Sequence, residues 1–406
     1  MYFSYYKKRF PDHVLVYIEE FNKQNGTVLF DFIDSNEYNL FNGIFNRQAN
    51  LDKPSMVFLN NYTGRTIREN TIYSIRPEII YTWQNQVSSS IENVNSFLIG
   101  YLIDVKNLTQ EIFESAVSLN DLLDFQLNYH MLGNGNLSQI SFHPHGNLSV
   151  TIRNVGQGNW NEISFNNEVK VAYDVGAPLN VSKSEVIRII GNRTEKYAQS
   201  RPVLVLSHWD KDHYHSLLGM GHEELSKSFS AFVCRSRVPN LTSRILFKRI
   251  SIAVGDANTC TIPADQRLTR GGPTFFRNVN PETDQIVIYN AQYHKNRNIS
   301  GLILSIKSRD KSVILSGDAH YEQISRDILQ QLSYKHQHCL VVPHHGGRAG
   351  KYSYNIPAGV SPDKAIISVG VNPYGHPYPS YVNALKANGF LVQRTNRQGN
   401  DITINL

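Results

Sequence analysis

At 406 residues, with 41% apolar and 11% aromatic side chains, the chain is too long for one average domain and has ample material for two cores. No apolar run approaches the ~18 residues that a spanning helix needs, which excludes a helical membrane protein. The net charge of +6 is unevenly spread: residues 1–145 carry 10 Lys and Arg against 15 Asp and Glu, the remainder 30 against 19.

Near the N-terminus, Lys7-Lys8-Arg9 precedes an apolar stretch, Val14 to Ile18, that Glu19 and Glu20 cut short. That is too short for a secretory signal, so a cytoplasmic location is expected. Val14–Phe21 and Thr27–Phe32, joined by Asn22–Gly26, read as a β-hairpin. Glu111–Leu127 has helical spacing through Ile112, Ala116, Leu122, Leu123 and Phe125. Tyr2, Phe3, Tyr5 and Tyr6 read as core or interface rather than as a base-stacking platform. The turn cluster Leu132–Asn136 suits a boundary. It separates an N-terminal domain of unassigned α+β type, residues 1–145, from a second domain, residues 146–406. The first is expected to recognise a substrate, a protein partner or its own twin.

From residue 146 strands alternate with helices. Strands are expected at 148–154, 161–165, 169–174, 203–207, 301–306, 312–317, 339–343 and 365–369, forming two sheets. Helices are expected over Val181–Gly191 (capped by Asn180), Tyr214–Ser228, Tyr321–Leu332 and Pro379–Asn388. Cys234, Cys260 and Cys339 have no CxxC spacing and read as reduced thiols.

Chemistry concentrates where strands end. Val203–Ser207 runs into His208-Trp209-Asp210-Lys211-Asp212-His213, four ligand-type side chains within six residues. In extended backbone alternate side chains share a side, so His208, Asp210 and Asp212 converge, and His213 joins as the chain turns. Imidazoles and carboxylates together suit Zn²⁺ or a harder divalent ion. Ser316-Gly317-Asp318 and Pro343-His344-His345-Gly346-Gly347 likewise follow apolar strands. Loops delivering His and Asp to one rim are how an α/β scaffold builds a catalytic site.

These motifs occur in a telling order: Val155-Gly156-Gln157-Gly158, Asp174-Val175-Gly176, Ser207–His213, Ser316-Gly317-Asp318 and Pro343-His344-His345-Gly346. Ser368-Val369-Gly370, Gly375-His376-Pro377, Arg394-Thr395 and Gly399 follow. The pattern resembles metallo-β-lactamase-fold hydrolases, above all the hydrolase domain of ComEC-like DNA-uptake proteins, here without a membrane channel. It departs from them at Asn154 and Asn159, where Asp is usual, and in the loop Gly346–Lys351.

The resemblance implies an αββα sandwich for residues 146–406 and a site holding two divalent ions, Zn²⁺ or Mn²⁺ with Mg²⁺ open. His208 and Asp210 belong to the first metal, Asp212 and His213 to the second. Asp318 bridges them, and His344, with His345 as the alternative, completes the second. A further ligand, if present, would be His222 or His294. Two metals ~3.5–4 Å apart activate a hydroxide on an ester. In that scheme Asp212 and His376 are the catalytic candidates, His376 assisting the leaving group, and Asp174 supports the ligand loop.

The basic half favours a polyanion, so the expected activity is that of a phosphodiesterase or nuclease acting on DNA. Arg235, Arg237, Arg244, Lys248, Arg249, Arg348, Lys351, Arg394 and Arg397 are candidates for a basic rim. The alternatives are hydrolysis of a small phosphoester or other ester, and a non-catalytic metal-binding interaction module.

Overall fold

The computed structural model describes residues 10–45, 56–85, 99–106, 111–114, 133, 135–137, 146–265, 274–280, 285–294, 296–332, 336–372 and 374–406. The expected helix over Glu111–Leu127 falls outside these beyond Glu114, and residues 111–114 are not helical. Tyr2, Phe3, Tyr5 and Tyr6 also lie outside, as do Leu132 and Asn134 of the expected boundary. Among the described residues no helix is long and apolar enough to cross a membrane.

The chain forms two compact units, Met1–Met131 with Asn180–Lys183 and Arg237–Lys248, and Leu132–Leu179 with Ser184–Ser236 and Arg249–Leu406. The first holds the expected hairpin, β1 (Val14–Asn22) against β2 (Thr27–Phe32), antiparallel with Val16 opposite Phe32. β3 (Met56–Asn60), β4 (Thr71–Ile75) and β5 (Ile99–Asp104) extend it to a sheet ordered β4-β1-β2-β3-β5. Helix α1 (Ser35–Ile44) starts at Asp34, whose carboxylate accepts from the amides of Asn36 and Glu37 at 2.7 and 3.1 Å, as a cap should. Buried Phe30, Phe32, Phe41, Trp83 and Tyr101 form its aromatic core, with centroids 4.8 Å apart for Phe32–Phe41 and Phe41–Tyr101.

The second unit is α/β, with two seven-stranded sheets. In the first, β6 (Leu148–Ile152), β7 (Trp160–Phe165) and β8 (Glu168–Val175) form a meander that continues through β9 (Val203–Val205) and β10 (Ala231–Arg235) to β11 (Thr259–Ile262). In the second, β12 (Phe276–Asn278), β13 (Ile286–Ala291), β14 (Leu302–Lys307), β15 (Lys311–Leu315), β16 (Gln337–Val341), β17 (Ser361–Ile367) and β18 (Leu391–Arg394) lie in chain order. The C-terminal β19 (Ile402–Asn405) returns to pair antiparallel with β6. Alternation decides which faces meet. Val150, Ile163, Val171 and Val205 of one sheet share a buried cluster with Ile288, Leu304, Val313 and Val341 of the other.

The opposite face of the second sheet, including Ile303, Ile314, Leu340 and Ile367, packs on Tyr321, Ile324, Val382 and Leu385. These belong to α2 (Tyr321–Asp327) and α3 (Pro379–Ala387). Helices α4 (Arg193–Ser200) and α5 (Lys211–Gly219) lie against β8 of the first sheet. The layers run helix, sheet, sheet, helix, as expected from the sequence. Fully burying each large apolar side chain in them contributes ~1.5–3 kcal/mol.

Two expectations need correction. The predicted helix Tyr214–Ser228 is two helices, α5 and α6 (His222–Ser228), broken at Met220-Gly221, where the backbone turns extended. Arg235 is no rim residue: it is 6% exposed, and its guanidinium bonds the Asn290 side chain and the Ala291 carbonyl. Burial lowers its pKa to about 10. It ties β10 to β13 within the fold.

Candidate metal centre

Parallel pairing sets the site's position. β8 and β9 run parallel, as do β15, β16 and β17, so their C-terminal ends emerge together at one edge of each sheet. Asp174, His208, Asp318, His344 and Ser368 all stand at or just past those ends. His208 follows β9 in a short loop, and Asp210, extended in backbone, is the N-cap of α5. Asp212 and His213 sit instead on the first turn of α5, so a helix start rather than strand alternation turns them inward. That corrects the expectation that Asp212 shares the strand's face. A carboxylate there also suits the positive end of the helix.

Four imidazoles are anchored through one ring nitrogen and present the other to a carboxylate. His208 Nδ1 meets Ser207 Oγ at 2.9 Å, His213 Nδ1 meets Asp174 Oδ2 at 2.8 Å, and His345 Nδ1 meets the Ser368 carbonyl at 2.7 Å. His344 Nδ1 meets the Arg348 carbonyl at 3.2 Å. Their Nε2 atoms face inward: His213 lies 3.1 Å from Asp318 Oδ1, His345 2.9 Å from Asp212 Oδ2 and His208 3.3 Å from Asp210 Oδ2. His208 and His344 stand 3.7 and 3.8 Å from Asp318 Oδ2. Anchoring one nitrogen and aiming the other is how proteins prepare imidazole ligands.

These groups fit a divalent ion. The Nε2 atoms of His208 and His213 and Oδ1 of Asp318 are buried without a hydrogen-bond partner, a costly state that a cation would relieve. Ligands at ~2.0–2.2 Å around a tetrahedral ion lie roughly 3.4 Å apart, within the spread seen here. Two triplets have ligand atoms all within 4.8 Å of one another: His208–His213–Asp318 and Asp212–His213–His345. The structure thus brings His208, Asp212, His213 and Asp318 together, with His345 rather than His344 beside Asp212. Asp210 and His344 lie alongside and belong to neither triplet.

Asp210 has a cationic neighbour that the sequence did not announce. Arg297 reaches its Oδ1 at 2.7 Å and donates to the Trp209 carbonyl at 2.8 Å, while Asn298 Nδ2 donates to Asp318 Oδ2 at 3.3 Å. Both residues sit in the β13–β14 connection, where no motif marks them. His222, one candidate for a further ligand, is an exposed first residue of α6; His294 accepts the Asn296 amide at 3.0 Å.

Desolvation opposes ionisation of the three site carboxyls, but the cations around them win. Arg297 and His208 hold Asp210 low; His213 and His345 do so for Asp212; His344, His213 and His208 do so for Asp318. Burial pushes His213 down, and Asp318, Asp174 and Asp212 more than reverse it. Asp210 and Asp212 keep 19% and 21% of their side chains exposed against 3% for Asp318, so solvent enters on their side.

Asp174 organises the floor. It accepts from the Ser207 amide at 2.7 Å, Ser207 Oγ at 2.9 Å, Asn159 Nδ2 at 2.8 Å and His213 Nδ1, from a left-handed backbone at φ 55°. Asn159 is therefore apt: a carboxylate there would face Asp174, whereas its amide donates. Gly176 has a steric reason, since a Cβ there would come 1.7 Å from the Asp212 carbonyl oxygen. His344 and His345 are also left-handed, at φ 52° and 53°, a strain of ~1–3 kcal/mol each of the kind found at functional sites.

The ring of His376 lies 5.3 Å from that of His344. Burial, then the neighbouring His344 and His345, lower its pKa to about 4. Arg348, Lys351 and Arg397 are exposed, and Arg394 is partly so. The three cysteines are buried and in no disulfide.

No family model matches the sequence, and no curated protein matches it. Solved structures give loose likenesses. A variant of the CmlA beta-hydroxylase aligns over 71% of this chain and 60% of its own, at 11% identity and a TM-score of 0.34. The short form of human tRNase Z aligns over 59% of this chain and 88% of its own, at 10% identity and a TM-score of 0.31. This chain is similar to both at that level, which is too slight to speak to its reaction.

Proposed function

We propose that the second unit is a metal-dependent phosphodiesterase acting on nucleic acid, with DNA the favoured substrate. One observation carries the reading: two ligand triplets that share His213, built from imidazoles already oriented by Asp174, Ser207 and Ser368. A pair of divalent ions would supply a nucleophile at neutral pH and polarise the phosphoryl oxygen. His208, His213 and Asp318 would hold one ion; His213 has a single free nitrogen, so Asp212 and His345 would hold the other.

The chain's own residues do the rest. Asp174 fixes His213 through Nδ1, so that Nε2 faces Asp318 and is the nitrogen that would hold an ion. Arg297 neutralises one lobe of Asp210 and keeps that carboxylate from swinging into the opening. His376 is neutral near pH 7 at a pKa of about 4, so it serves there as a hydrogen-bonding imidazole rather than as a ready proton donor. Arg348 and Lys351, exposed beyond the His344-His345 turn, supply positive charge for a phosphate backbone.

The test is hydrolysis of labelled single- and double-stranded DNA, RNA and a small phosphodiester with Mg²⁺, Mn²⁺ or Zn²⁺. Activity on a nucleic acid, abolished in Asp212→Ala with circular dichroism unchanged, is the expected result. Identical trace activity in wild type and Asp212→Ala would leave a binding module. Cleavage of the small ester alone would move the substrate to that class.

A further inference from the structure

Beyond the ligand cluster, the segment after β17 carries the partly covered aromatic side chains Tyr374, His376 and Tyr378, the last stacked on Tyr381 at the edge of the core. Asn372 builds it: Nδ2 donates to the Gly370 and His376 carbonyls at 3.0 Å each, and Oδ1 accepts from the amides of Tyr374 at 3.1 Å and His376 at 3.0 Å. Val371 at its tip is fully exposed. The ring of Tyr374 lies 5.5 Å from that of His376, and Tyr378 lies 5.1 Å from it on edge. His376 in turn is 5.3 Å from His344, whose Nε2 stands 3.8 Å from Asp318. A chain of ring contacts therefore runs from the ligand cluster outward.

Its seat is tight. A Cβ on Gly347 would come 2.3 Å from the His376 ring, and the Tyr378 amide donates to the Gly346 carbonyl at 3.0 Å, so the segment is locked onto the His344–Gly347 turn. Tyr321 and Tyr354, by contrast, are buried tyrosines of the core, whereas Tyr374 and Tyr378 are only partly covered. Two arginines lie next in the chain to residues that hold this segment. Arg348 follows the Gly347 on which His376 rests, and Arg394, near Arg397, precedes the Thr395 whose hydroxyl bonds Val369.

We propose that Tyr374, His376 and Tyr378 form a stacking rim that receives an unpaired nucleobase next to the phosphodiester at the ligand cluster. The protein would thereby take single-stranded nucleic acid in preference to duplex. This rests on the phosphodiesterase reading and names its substrate class. Base–aromatic stacking tolerates any base, because each has a π-face, and it requires that the base not be held in a duplex stack. Flanking arginines track the backbone, so the contact combines stacking with charge, the usual pairing in single-strand binding.

Binding separates this from catalysis. Labelled oligothymidylate, oligouridylate, an abasic oligomer of equal length and a duplex are titrated against the full chain by fluorescence anisotropy, in chelator and again with Mg²⁺. Base-bearing single strands are expected to bind about ten-fold or more tightly than the abasic strand or the duplex. Tyr374→Ala and Tyr378→Ala should each shrink that preference and Tyr374→Phe restore it. The two oligomers distinguish DNA from RNA. Equal binding of base-bearing and abasic strands, or a preference that survives both alanine variants, overturns the rim. Preferential binding without cleavage under any metal would leave the rim standing and remove the hydrolase, whereas cleavage with equal binding does the reverse.

Discussion

Asp174→Asn is the sharpest test of how the site is held. Asparagine tolerates the left-handed backbone found there, φ 55°, so the change isolates the side chain. Four donors converge on the carboxylate: the Ser207 amide and hydroxyl, Asn159 Nδ2 and His213 Nδ1. An amide must turn its own N–H₂ toward either the oxygen position that serves Ser207 N or the one that serves the other three. With one orientation a single bond is lost and with the other three, and the charge is lost in both. Hydrogen bonds to a charged group are worth ~1.5–3 kcal/mol each, and the amide takes the orientation that loses one of them, so a loss of about 1.5–3 kcal/mol is expected, a large share of a typical ~5–15 kcal/mol total. Because Asp174 also orients His213, metal affinity should drop ~10–100-fold. Urea unfolding of the metal-free protein and calorimetric titration with Zn²⁺ or Mn²⁺ measure the two effects. A stability change under ~1 kcal/mol together with metal affinity within two-fold of wild type would refute the hub.

Two further outcomes follow from the geometry. His345→Ala, which removes the Nε2 that stands 2.9 Å from Asp212, should lower bound metal toward one ion per chain, while His344→Ala should lower it less; elemental analysis after reconstitution and desalting decides, and equal losses would contradict the placement. In the first unit, Glu37 has its pKa raised to about 7, by burial first and against the Leu15 amide hydrogen bond that lowers it. A folded pKa above the unfolded one means that wild-type stability is full below ~4.5 and falls as pH rises through about 7. Glu37→Gln should therefore match wild type near pH 4.5 and exceed it at pH 8 by about 2 kcal/mol, after allowance for partial exposure. A gap that does not change between those pH values would exclude the linkage.

Local pattern was enough to show that residues 146–406 alternate strands with helices and that ligand-type side chains gather at the strand ends, because a period-2 apolar run and its polar terminus are written in neighbouring residues. The hairpin of Val14–Asn22 and Thr27–Phe32 was legible for the same reason. Several elements were not. β19 is four residues long, Ile402–Asn405, and is a strand because β6, some 250 positions earlier, offers a free edge. Arg235 has the composition of a surface residue and is buried because Asn290 and Ala291 receive its donors.

The site divides in the same way. Sequence named His208, Asp210, Asp212, His213 and Asp318 as neighbours, and put His344 ahead of His345, whereas the two ligand triplets include His345 and neither Asp210 nor His344. Adjacent residues in the same left-handed conformation carry no local clue to which one faces the cluster; the Ser368 carbonyl, 23 positions away, anchors His345 so that its Nε2 meets Asp212. Arg297 beside Asp210, and the ring contacts that Tyr374 and Tyr378 make with His376, were likewise invisible. The sequence determined which ligand chemistry this protein carries and at which strand ends, since periodicity is local. Only the tertiary structure decided which nitrogen and which oxygen face each other, since a side chain's direction is set by partners that the chain brings in from far away.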